Sequence, residues 1–98
     1  MDLQACTEAI RAKVGDESRL NATLKFDCGI DGVVYVDALA IPNAVGNENL
    51  DAGCTVIITL ENLSAMLSGE LSPVNGFMSG KLKVSGDMSV AMRLQNVI

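Results

Sequence analysis

The chain has 98 residues, room for one small domain and no second. With 49% apolar and 19% charged residues it is too apolar for a disordered tail, and a net charge of −5 speaks against a general nucleic-acid binder. The absence of histidine excludes a Ser-His-Asp triad, a Cys-His pair and any His-ligated metal.

Along the chain, Asp2 is placed to cap a helix on which Leu3, Cys6, Ile10 and Val14 recur at three- and four-residue steps, with Gly15 to stop it. Residues 16–21 read as a polar linker with turn chemistry. Residues 22–28 alternate as in a half-buried strand, with Leu24, Phe26 and Cys28 facing one way and Thr23, Lys25 and Asp27 the other. The turn Gly29-Ile-Asp-Gly32 leads into a returning strand over 33–36, so a hairpin is expected. Across 37–53, Pro42 and the Asn and Gly positions leave only a short edge strand and a long loop.

Residues 54–60 form the strongest strand, β-branched at 55–59. Thr59 then caps a short helix with apolar Leu63, Met66 and Leu67, ended by Gly69. Ser72-Pro73 starts a second short helix that carries Phe77 and Met78 and stops before Gly80. A short strand over 81–85, a turn and cap at Gly86-Asp87 and a closing helix over 88–98 complete a single domain over 1–98.

Charge is unevenly spread. Residues 1–78 carry eleven acids and four bases, whereas 79–98 carry Lys81, Lys83 and Arg93 against Asp87 alone. These three bases are either ordinary solvated side chains or a docking patch for a transient anionic membrane surface. Cys6, Cys28 and Cys54 are widely spaced with no C-x-x-C, which suits buried free thiols in a reducing compartment. No stretch reads as a signal peptide or reaches the ~18 apolar residues of a membrane span, and lipidation motifs are absent. A cytoplasmic protein, monomeric or weakly dimeric, is expected.

On the closing helix, at 100° per residue, Ser89, Arg93 and Asn96 share one polar side, and the apolar positions sweep an arc of roughly 220°. That is about twice what one packing face needs. The excess has to face a ligand cavity, a partner protein or a membrane. Gln95 falls inside the arc, where a buried amide must bond either to nearby backbone or to a ligand's polar end. Four of the five methionines fall at 66, 78, 88 and 92, and flexible, polarizable Met suits either an irregular core or an adaptable apolar site.

The order of residues is more specific than their composition. The runs Leu67-Ser-Gly-Glu-Leu-Ser-Pro73, Phe77-Met-Ser-Gly-Lys-Leu-Lys-Val-Ser-Gly-Asp-Met88 and Leu94-Gln-Asn96 closely resemble the sterol carrier protein 2 family. Ala52-Gly-Cys-Thr-Val-Ile-Ile-Thr59 resembles the strand before that family's short helix, and Val33-Val-Tyr-Val-Asp37 its second strand. The chain departs from the pattern where Met78 replaces a second aromatic and Val74 replaces a frequent Gln, which implies a pocket with fewer polar or stacking handles. The segment 38–49 is unlike the family's Gly-rich stretch, and the peroxisomal tripeptide is missing, as in a free-standing bacterial-type or cytosolic member.

The resemblance implies an α+β fold: a five-stranded, mostly antiparallel sheet with helices on one face enclosing an apolar tunnel. It further implies non-catalytic intracellular binding and transfer of a fatty acid, acyl-CoA, sterol or phospholipid, with no cofactor and no metal. The expected lining is Leu67, Phe77, Met78, Met88, Ala91, Met92 and Gln95, with Leu63 and Val84 behind. The alternative is an accessory interaction module that presents lipid-like substrates to partner enzymes, for example in isoprenoid-quinone synthesis. An enzyme is not expected, because no Ser, Thr or Cys sits in a recognisable elbow or dyad and Gly80-Lys81 is not a phosphate-binding loop.

Overall fold

The computed structural model describes residues 1–16 and 20–98. The first helix, α1 (Leu3–Val14), forms where the capping and periodicity place it. The Asp2 carboxylate accepts the Ala5 N–H at 2.8 Å, and Cys6, Thr7, Ile10 and Val14 are buried along one face. Gly15, at φ +65°, closes the helix by donating its N–H to the Arg11 carbonyl. Most of the expected polar linker after it (17–19) lies outside the described residues.

Strands β1 (Thr23–Asp27) and β2 (Val33–Asp37) pair antiparallel as the expected hairpin, joined by a 3-10 turn at Gly29–Asp31. Strand β3 (Ala44–Gly46) is the short edge strand, antiparallel to β2. Strand β4 (Cys54–Ile58) returns to the middle of the sheet and runs parallel to β1, with Phe26 opposite Val56. Helices α2 (Leu60–Leu67) and α3 (Pro73–Met78) follow, then β5 (Leu82–Gly86), antiparallel to β4, and α4 (Met88–Leu94).

Among the described residues the result is a five-stranded sheet in the order β3-β2-β1-β4-β5. Three of its four pairings are antiparallel and one is parallel. The sheet is therefore mixed, with the antiparallel character that was expected. The helices cover one face: α1 lies over β2 and β3 and touches α2, α3 packs on β5, and α4 on β4 and β5. Leu24, Phe26, Val34, Val36, Cys54, Val56 and Ile58 point into this layer and are buried, as period-two alternation requires. The other face carries Lys25, Asp27, Tyr35, Thr55 and Lys83.

The closing helix is shorter than its hydrophobic pattern suggests. Regular α-helix ends at Leu94, and residues 95–97 continue in turns whose N–H groups bond back to Arg93 and Leu94. Val97 and Ile98 fold back to pack against the core. The wide apolar arc is thus divided. Val90 and Leu94 are buried in the core, while Met88 and Met92 are exposed on another side of the same helix.

Candidate functional site

An apolar cavity of about 340 Å³ lies between the β4–β5 half of the sheet and helices α3 and α4. Its deep wall is made by Val56, Met66, Leu82 and Leu94, all buried. Pro73, Val74 and Phe77 of α3 form one side, and Met88, Ala91 and Met92 of α4 the other, with Val84 beneath them. Val74, Phe77, Met88 and Met92 are each partly exposed, so the cavity opens to solvent along an apolar rim. Among the described residues the polar side chain in this lining is Gln95, and no charged side chain contributes.

Local chemistry holds these walls in place. Ser72 caps α3 by accepting the Asn75 N–H at 3.1 Å, with Pro73 in the first helical turn. Gly76 is buried where α3 crosses β5, and a Cβ there would lie 3.1 Å from a Leu82 methyl. At the β5–α4 corner, Gly86 has φ +93° and a Cβ would fall 2.4 Å from the Gly53 carbonyl oxygen. That close approach lets the Asp87 N–H donate to the Gly53 carbonyl at 2.8 Å and ties the start of α4 to β4. The Asp87 carboxylate then accepts from the Ser89 N–H and hydroxyl, which holds its pKa below the usual aspartate value.

The structure gathers Phe77, Val84, Met88, Ala91, Met92 and Gln95 at this cavity. Val84 is part of the wall itself rather than a support behind it. Leu63 and Leu67 lie elsewhere: both are buried in the central core, where α2 meets the sheet. Met78 is also outside, exposed at the end of α3, because one residue beyond Phe77 turns its side chain about 100° away. Gln95 is exposed at the rim rather than a buried amide, since the helix ends just before it. Val56, Pro73, Leu82 and Leu94 were not anticipated, while Val74 and Met66, singled out in the sequence but left off the expected lining, stand in the wall. The alternation of β4 and β5 marks Val56 and Leu82 as inward, but nothing local says which part of the inner face stays unfilled.

Lys81, Lys83 and Arg93 do not line the cavity. Lys81 and Lys83 border a separate groove with Asp27 and Ile57. Arg93 donates from Nε to the Leu20 carbonyl at 3.0 Å and ties α4 to the segment before β1. All three cysteines are buried and free, and burial pushes the Cys28 thiol up to about 11. Among the described residues, no cluster of acidic and cysteine side chains could hold a metal ion, and no helix is long and apolar enough to cross a membrane.

The profile of the SCP-2 sterol transfer family matches residues 4–98. The chain belongs to this family. Mouse stomatin-like protein 1 is 33% identical over 94 residues, covering 94% of this chain and 23% of that protein. Rabbit sterol carrier protein 2 is 41% identical over 51 residues, covering 52% of this chain and 9% of that protein. The chain thus spans less than a quarter of either curated relative. Among solved SCP-2 structures, sterol carrier protein 2 like 2 of Aedes aegypti superposes with a TM-score of 0.78 at 23% identity, covering 98% of this chain and 95% of that one. A palmitated form of the Aedes aegypti protein aligns with a TM-score of 0.74 at 24% identity over 99% and 94% of the two chains. These superpositions establish the SCP-2 fold, and the apolar space expected between sheet and helices takes the form of the cavity described above.

Proposed function

We propose that this chain binds and carries a lipid without chemical conversion, holding its hydrocarbon part in the cavity between the sheet, α3 and α4. The observation that carries this reading is a lining that, among the described residues, is apolar apart from one neutral amide at the rim. Burying hydrocarbon is favourable by about 0.8 kcal/mol per CH₂, so a sixteen-carbon chain would gain up to ~12 kcal/mol before binding costs are subtracted. Apolar contact alone is enough for useful affinity, and a described lining without a charged side chain leaves a headgroup to the open rim. Family membership and the palmitated relative favour the same reading.

Titration with a fluorescent fatty acid, together with mass spectrometry of lipid extracted from freshly purified protein, tests it. Saturable binding is expected, and Ala91→Trp, which places an indole inside the cavity, should abolish it while the circular dichroism spectrum stays unchanged. Absence of saturable binding and of any co-purifying lipid overturns the reading. The partly exposed rim also favours a second reading, in which the bound lipid is presented to a partner enzyme. A pull-down that returns a stable enzyme complex would favour it. Strictly monomeric behaviour with transfer between vesicles would exclude it.

A further inference from the structure

Two of the cavity's methionines sit where an oxidant can reach them. Met88 and Met92 are one helical turn apart on α4, both line the cavity, and they are 47% and 63% exposed. Met66, the third lining methionine, is 3% exposed. Met78 is 80% exposed but lies outside the cavity. The thiols offer little competition. All three are buried, and the high pKa of Cys28 keeps its sulfur in the poorly nucleophilic thiol form at neutral pH.

From this arrangement we infer that Met88 and Met92 form a modification site at which hydroperoxides convert the cavity wall from apolar to polar and release the lipid. The inference rests on the lipid-carrier reading above. In each step the thioether sulfur attacks the terminal peroxide oxygen and an S–O bond forms as the O–O bond breaks. The sulfur is oxidised by two electrons to a sulfoxide, and the peroxide is reduced to an alcohol, or to water from hydrogen peroxide, which takes up the proton. The product carries a strong dipole at the rim of a wall whose polar side chain, among the described residues, is Gln95. Facing hydrocarbon with such a dipole removes a hydrogen-bonding group from water without replacement, so each sulfoxide should weaken binding about tenfold.

The test treats the protein with hydrogen peroxide, maps sulfoxides by tandem mass spectrometry and titrates dansyl-undecanoate before and after. Met88 and Met92 should oxidise well ahead of Met66, and affinity should fall in step with them. The two methionine sulfoxide reductases of opposite epimer specificity, supplied together with a dithiol, should restore it. Met78→Leu should respond to peroxide as the unaltered protein does. The Met88→Leu/Met92→Leu protein, compared with its own untreated affinity, should lose little. No saturable binding before peroxide overturns the carrier reading and this inference with it. Normal binding that survives full oxidation of both residues, or an equal loss in the double variant, overturns this inference alone.

Discussion

Thr7 is the buried polar side chain among the described residues, and it links three parts of the chain. Its hydroxyl donates to the Leu3 carbonyl at 2.8 Å and accepts from Asn47 Nδ2 at 2.9 Å, while the same Asn47 amide donates to the Val33 carbonyl at 3.0 Å. One amide thereby pins the long loop after β3 to both α1 and β2. Thr7→Val keeps the shape and removes the acceptor, leaving an Asn47 donor with one partner fewer. A loss of about 1–2 kcal/mol is expected in denaturant unfolding, with lipid binding unchanged because the cavity lies under other helices. None of this was legible in the sequence, where Thr7 breaks an otherwise apolar helix face and Asn47 reads as one more loop polar. A hydrogen bond spanning 40 residues leaves no local pattern.

Helix starts, by contrast, were read correctly because their chemistry is local. Asp2, Thr59, Ser72 and Asp87 each accept a backbone N–H two or three residues on, as the spacing alone requires. The far end of α4 was misread for a matching reason: a run of apolar residues continues the helical pattern past Leu94, yet Val97 and Ile98 satisfy it by folding back on the core. Met78 was misplaced because α3, at six residues, is too short for periodicity to separate an inward from an outward position. The cap of α4 also makes a prediction. Asp87 has a lowered pKa in the folded protein through its bonds to Ser89, so the folded state favours the carboxylate. Its stabilising effect is present above the unfolded value near 3.8 and is lost as pH falls through the lower folded value. Asp87→Asn retains a capping oxygen but cannot titrate there. The difference in melting temperature between the two proteins should therefore change across the acid limb and stay constant near neutrality.

At the scale of the whole molecule, the two halves of the sheet's inner face are filled differently. The β1–β2–β3 half is closed by the twelve-residue α1, with Ile10, Phe26 and Val34 packed to near-zero exposure. The β4–β5 half is covered by two helices of six and seven residues, and the space they leave is the cavity. The sequence points to α3 and α4 as walls, but a void is a property of how elements meet, and no single element encodes it. The expected docking patch divides in the same way. Lys81 and Lys83 border a groove away from the cavity rim, and Arg93 is engaged with Leu20. Reversing Lys81 and Lys83 to Glu should reduce the salt-dependent association with anionic vesicles and leave the affinity for a soluble fatty acid unchanged. Vesicle co-sedimentation at two salt concentrations, run beside the fatty-acid titration, separates the two. If association does not change, the lysines are plain solvated side chains.

Among the described residues, those that line the cavity fall within the single stretch 56–95, although the sheet that supports them draws strands from both ends of the chain. The N-terminal part, through β3, supplies a buried buttress that among the described residues contributes no lining side chain. The cavity wall is therefore one contiguous segment, joined to its buttress along the β1–β4 ladder and the α1–α2 contact. Changes to the cavity's size and polarity can be confined to the rim positions of that segment, because Val56, Leu63 and Leu94 belong to the same core as the N-terminal strands and helix.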